Sequence, residues 1–268
     1  MNHLILITLS VALYIGCGAL LAVRLGRGDT SRTTRNATLT LGAGAVVLHG
    51  GLLYQTLVSA HGINLGFFNA GSLVSWLIAL ILLLTAIRKP VENLGIVLFP
   101  VAAIAIVVDG SFTSRHIIHA TGHWQLDAHI LISFIAYSLL TIAMVQAVLL
   151  AIQEHHLRNR QPGGFIRALP PLQTMESLLF QMIAIGFSLL TVGLLIGLLF
   201  LHNIFAQHLV HKTVLSLIGW FVFAILLWGR WRYGWRGRIA IRWTLGGFIT
   251  LMLAYFGSKM VLELILHR

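Results

Sequence analysis

The chain reads as an all-α, polytopic transmembrane helical bundle of about eight spans, and three observations predict this. Of its 268 residues, 58% are hydrophobic and only 9% are charged, against roughly 25% charged in a soluble globular chain. Apolar runs recur at about the 20-residue length that crosses a bilayer. The basic residues gather in short clusters between alternate runs, the pattern of a membrane topology signal.

Taken in order, the runs cover about 4–23, 37–58, 67–87, 94–110, 129–152, 177–201, 213–229 and 243–265. The fourth is the shortest and ends near Asp109. The start, Met1-Asn2-His3, lacks the basic region of a signal peptide, so the first run reads as a retained span. Cys17 is the only cysteine and is placed inside that span, which excludes an intrachain disulfide and any Cys-based metal centre. No linker composition divides the chain, so residues 1–268 read as a single membrane domain.

Orientation follows from Lys and Arg. Fourteen of the 18 basic residues fall after spans 1, 3, 5 and 7, in clusters such as Arg24, Arg27, Arg32 and Arg35, or Arg230, Arg232, Arg236, Arg238 and Arg242. The positive-inside rule puts these clusters in the cytoplasm. Eight spans then leave both termini periplasmic, in a bacterial inner membrane. The same distribution argues against nucleic acid as the partner of the +11 formal charge; the 230–238 run is expected to be a membrane anchor with belt aromatics.

With that orientation, ten of the 13 histidines fall at or near the outer face. Histidine ligates metal or heme iron through a neutral ring nitrogen. His116, His119 and His123 recur at i, i+3, i+7 and would share one side of a helix. They read either as a solvated interfacial turn or as a metal or heme-edge site. His129 follows the interfacial Trp124 into span 5, where it is either a ligand or a histidine bonded to backbone. Lys259, Glu263 and His267 recur at i, i+4, i+8 up span 8. Ionisable groups in a span pair with one another or line a cavity, and Glu263 is spaced to orient the His267 ring. His49, in Leu48-His49-Gly50-Gly51, either faces a bulky planar group across its glycines or marks close helix packing. Gly186, Gly193 and Gly197 in span 6 suit helix contacts. No P-loop, nucleophile elbow, HExxH motif or carboxylate pair is present, so the chain is not expected to be an enzyme.

Two stretches resemble the cytochrome c assembly protein family, the heme-handling membrane proteins of the CcsA and CcmC type. One is His123-Trp124, Ala128-His129-Ile130 and Ala136-Tyr137-Ser138-Leu139-Leu140. The other runs from Gly186-Phe187-Ser188-Leu189-Leu190-Thr191-Val192-Gly193 through Lys212-Thr213, Trp220, Ala224 and Gly234-Trp235-Arg236-Gly237-Arg238 to Tyr255-Phe256-Gly257 and His267. The similarity covers roughly residues 120–268. It implies heme as cofactor, His129 and His267 as axial ligands, and Arg115, Lys212 or Lys259 near the propionates. The implied partners are the lipid bilayer and apocytochrome c or other membrane proteins. The chain departs from the family between spans 6 and 7, where 201–211 holds three histidines and no tryptophan, and where Trp228 takes the place of an intramembrane histidine. His49 is a candidate replacement. The alternative function is an accessory to divalent-metal (cobalt or magnesium) transport or resistance, with His116, His119, His123, His208 and His211 as a borderline-soft site.

Overall fold

In hydrocarbon every backbone N–H and C=O must be satisfied within the protein, and an apolar run achieves this by becoming a helix. The computed structural model, which describes residues 3–29, 31–59, 62–112, 117–119, 124–160, 163–200 and 210–261, is built in this way. Its helices are α1 His3–Arg27, α2 Arg32–Leu57, α3 Phe67–Ala86, α4 Gly95–Ser111, α5 Trp124–Arg158, α6 Leu172–Phe200, α7 Val210–Tyr233 and α8 Gly237–Met252. A π-helical turn, Leu253–Gly257, and a short helix, Ser258–Met260, prolong α8. Eight helices are long and apolar enough to cross a membrane. The fourth, expected to be marginal, qualifies as Glu92–Ser111 despite Pro100, against which Gly18 of α1 packs closely.

The described residues form two compact units. The first takes residues 1–120 and 160–170, and the second 121–159 and 171–268. In the first unit α1 packs on α2 and α4, and α3 on α2 and α4. Cys17 is buried there, its thiol donating to the Thr38 carbonyl at 3.3 Å. At the arginine-rich end Glu92 lies between Arg24 and Arg35, at 3.5 and 3.4 Å, tying α1 and α2 to the start of α4. Ser31 opens α2 by accepting from the Thr34 N–H, while the Ser31 N–H donates to Asp29 at 2.7 Å and holds that carboxyl below its usual range.

Residues 117–119 are not helical: β1 (Val58–Ser59), β2 (Gly62–Asn64) and β3 (Ile117–His119) form an antiparallel sheet that pairs Gly62 with His119 and Ile63 with Ile118. His116 and His123, the other members of the histidine spacing, lie outside the described residues. Two β-branched isoleucines in a row favour the strand.

The second unit is an α5–α6 pair with α7 and α8 packed alongside. Its α7–α8 turn is clasped by Glu176 of α6. That carboxylate meets Arg230 at 3.5 Å and accepts the Gly237 N–H at 3.2 Å, while Arg230 donates to the Trp235 carbonyl at 3.1 Å. Gly234 and Gly237 take φ of +68° and +52°, conformations that suit glycine. The Gly-Trp-Arg-Gly-Arg stretch is thus explained locally as a turn.

Candidate functional site

His129 lies in the second turn of α5, half-buried against α6. Its Nδ1–H donates to the Gly193 carbonyl at 2.7 Å. A Cβ added to Gly197 would stand 2.9 Å from the ring's Cε1, and one added to Gly193 would stand 3.1 Å from the hydroxyl of Ser133. Two small residues one turn apart on α6 therefore receive His129 and Ser133, one turn apart on α5. With Nδ1–H committed to a carbonyl, the neutral form of the ring has its lone pair on Nε2. Among the described residues no group hydrogen-bonds that nitrogen. Metal-binding histidines show this same arrangement, the second ring nitrogen being fixed by a carbonyl or carboxylate.

The residues carrying the family resemblance pack on one another in this unit. Gly186 admits Leu140 and Leu139, and Phe187 stacks on Trp220 at 5.4 Å between centroids. The Trp220 indole donates to Thr191 at 2.9 Å. Phe134, one turn beyond His129, meets Tyr255 edge-on at 5.5 Å, and Tyr137 lies 5.6 Å from both Phe248 and Phe256. Tyr255 and Phe256 belong to the π-helical turn. Such turns insert a residue into a helix and occur often at functional sites. Lys259 follows directly and is buried, with 7% of its surface exposed.

In the first unit His49 is fully buried among hydroxyls. Nδ1 lies 3.2 Å from the Tyr14 hydroxyl and Nε2 lies 3.0 Å from that of Ser72. The space beside Gly50 is taken by the Trp76 indole, which donates to the Val46 carbonyl at 2.8 Å. Both ring nitrogens thus have partners, and Gly50 admits the Trp76 indole. His49, Ser72, His3 and Asp109 line one narrow cavity, where the Asp109 Oδ1 is buried and unpartnered among the described residues.

Trp124 is the first residue of α5 and is 69% exposed, which suits an interfacial anchor. His211 is exposed near the start of α7, and His119 lies on β3. His116, His123, His208, Glu263, His267 and Arg115 lie outside the described residues. Among the described residues no group of three or more His, Cys, Asp or Glu is arranged to hold a metal ion. Sequence reasoning missed the Gly193 carbonyl, Ser133, Tyr14 and Ser72. The Gly193–Gly197 spacing signalled a helix contact, but nothing in the sequence said that His129 was what it received.

Eight apolar helices and an inward histidine cradle define a multi-pass membrane protein, and its relatives place it in the inner membrane. The sequence model of the family described as cytochrome c assembly protein matches residues 39–266, and the chain belongs to that family. It is 36% identical to the inner membrane protein YpjD of Escherichia coli over 208 residues, 76% of this chain and 77% of the relative. An uncharacterised 28.8 kDa protein of Azospirillum brasilense is 36% identical over 55% of each chain. The cytochrome c biogenesis protein CcsA of Gloeobacter violaceus is 32% identical over 103 residues, 38% of this chain and 30% of that protein. No solved structure matches the chain.

Proposed function

We propose that the protein binds heme at the His129 end of the second unit and presents it on the periplasmic side, with His129 and His267 as axial ligands. The observation that carries this reading is the hydrogen bond from His129 Nδ1 to the Gly193 carbonyl, 2.7 Å long. It leaves Nε2 as the only ring atom able to ligate, and it anchors the ring against a helix. The donor chemistry fits a heme iron, for which neutral imidazole is a common axial ligand. Bound heme would supply a redox-active iron and a cargo for apocytochrome c or another membrane protein.

The chain's own residues supply position and surroundings. Gly193 fixes the imidazole tautomer, and Gly197 lets the ring lie against α6 without a Cβ in the way. Phe134, Tyr137, Tyr255 and Phe256 provide an aromatic wall one to two turns away. Lys212 or Lys259 would neutralise the propionates, and Glu263 would orient His267. Arg and Lys clusters at the ends of α1, α3, α5 and α7 support the orientation with both termini periplasmic.

Purification in mild detergent tests this reading. The wild type should carry heme close to one per chain by pyridine hemochrome, and His129→Ala with His267→Ala should carry less than a tenth of that. Equal heme in the double variant overturns the ligand assignment.

A further inference from the structure

We propose that a cleft at the arginine-rich end of the second unit binds the phosphate of an anionic membrane lipid. The cleft lies between the last turns of α5 and the first turns of α8. It measures about 240 Å³ and is lined by Ala151, Glu154, His155, Arg238, Ile241 and Arg242. Pockets for drug-sized ligands run to roughly 300–1,000 Å³, so this one suits a headgroup rather than a whole soluble molecule.

Its lining combines cationic and apolar groups, as a lipid headgroup site requires. Arg238 and Arg242 stand four residues apart on one face of α8. Glu154 holds Arg238 by its Nε at 3.5 Å, leaving the terminal guanidinium nitrogens to the cleft. Among the described residues no carboxylate pairs with Arg242. Two guanidinium groups and one carboxylate leave a single positive charge, which one phosphodiester neutralises. His155 also lines the cleft, its Nε2 accepting from the Asn159 amide at 3.1 Å. The start of α8 also directs the positive end of its dipole at this spot. Ala151 and Ile241 add apolar lining beside the arginines.

Guanidinium pairs grip phosphate bidentately, and a basic side chain near an anionic lipid surface contributes about 1 kcal/mol, or roughly fivefold, to binding. The test is lipid binding to the full-length protein in detergent, counted by native mass spectrometry, with phosphatidylglycerol, phosphatidylcholine and inorganic phosphate as probes. Phosphatidylglycerol should bind in preference to phosphatidylcholine, and Arg238→Ala with Arg242→Ala should weaken it roughly thirtyfold. Glu154→Gln, which removes the only carboxylate among the described residues that line the cleft, should tighten it about fivefold; loss of fold cannot produce a gain. Arg27→Ala with Arg32→Ala removes the same charge from the first unit and should leave it unchanged. The proposal is overturned by equal binding of the two lipids, by displacement of lipid by millimolar inorganic phosphate, or by equal losses from the two arginine pairs.

Discussion

Gly197→Ala is the sharpest probe of the His129 cradle, because two opposing effects of known size meet at one atom. In an unobstructed helix the change gains about 1 kcal/mol, the difference in helix propensity between glycine and alanine. Here the new methyl would lie 2.9 Å from Cε1 and 3.2 Å from Nδ1 of His129. Carbon atoms settle at about 3.5–4.0 Å, so the ring must withdraw by roughly 0.6–1 Å. Withdrawal stretches a 2.7 Å hydrogen bond to Gly193, and overpacking of this kind costs about 1–3 kcal/mol. The net effect is a loss of about 0–2 kcal/mol, followed by thermal unfolding in detergent. Truncating the ring should reverse the sign. In a His129→Ala background, Gly197→Ala should stabilise by up to about 1 kcal/mol, giving a coupling of about 1–3 kcal/mol across the double-mutant cycle. A coupling below about 0.5 kcal/mol would refute the packing of the imidazole against Gly197.

Other variants test other parts of the account. Glu92→Gln leaves Arg24 and Arg35 facing each other without a carboxylate and should cost about 2–3 kcal/mol, less than a fully buried pair because water reaches these groups. Arg24→Gln leaves a balanced pair and should cost less, and a larger loss from the arginine variant in thermal unfolding would contradict the geometry. His49→Leu removes the partner of the buried Tyr14 hydroxyl and one partner of Ser72, and should destabilise by about 1–2 kcal/mol. It should leave bound heme unchanged, and loss of the Soret band would make His49 a ligand after all. Trp220→Phe keeps the stack on Phe187 but gives up the indole bond to Thr191; about 0.5–1 kcal/mol should be lost with heme content intact. Reporter fusions at each terminus should be active only on the periplasmic side.

Helix number and extent were legible because bilayer thickness dictates them: every span read from hydropathy lies within or closely overlaps a helix. The position of Cys17 was equally direct. What periodicity could not reveal were partners from distant helices. Gly193, Gly197 and Ser133 became part of the site only when α5 lay against α6. His49 read as either a cofactor face or a packing position, and the Trp76 indole beside Gly50 comes from the next helix, which no spacing in the sequence announced. The strand at Ile117–His119 escaped notice because its partner strand lies more than 50 residues earlier in the chain.

The most direct test of the central claim is the reduced-minus-oxidised spectrum of His129→Gly, recorded with and without added imidazole. If the iron sits on His129, the variant loses the low-spin bands of the wild type, and free imidazole, entering the space left by the side chain, restores them. Bands that survive the substitution unchanged would contradict iron ligation by His129.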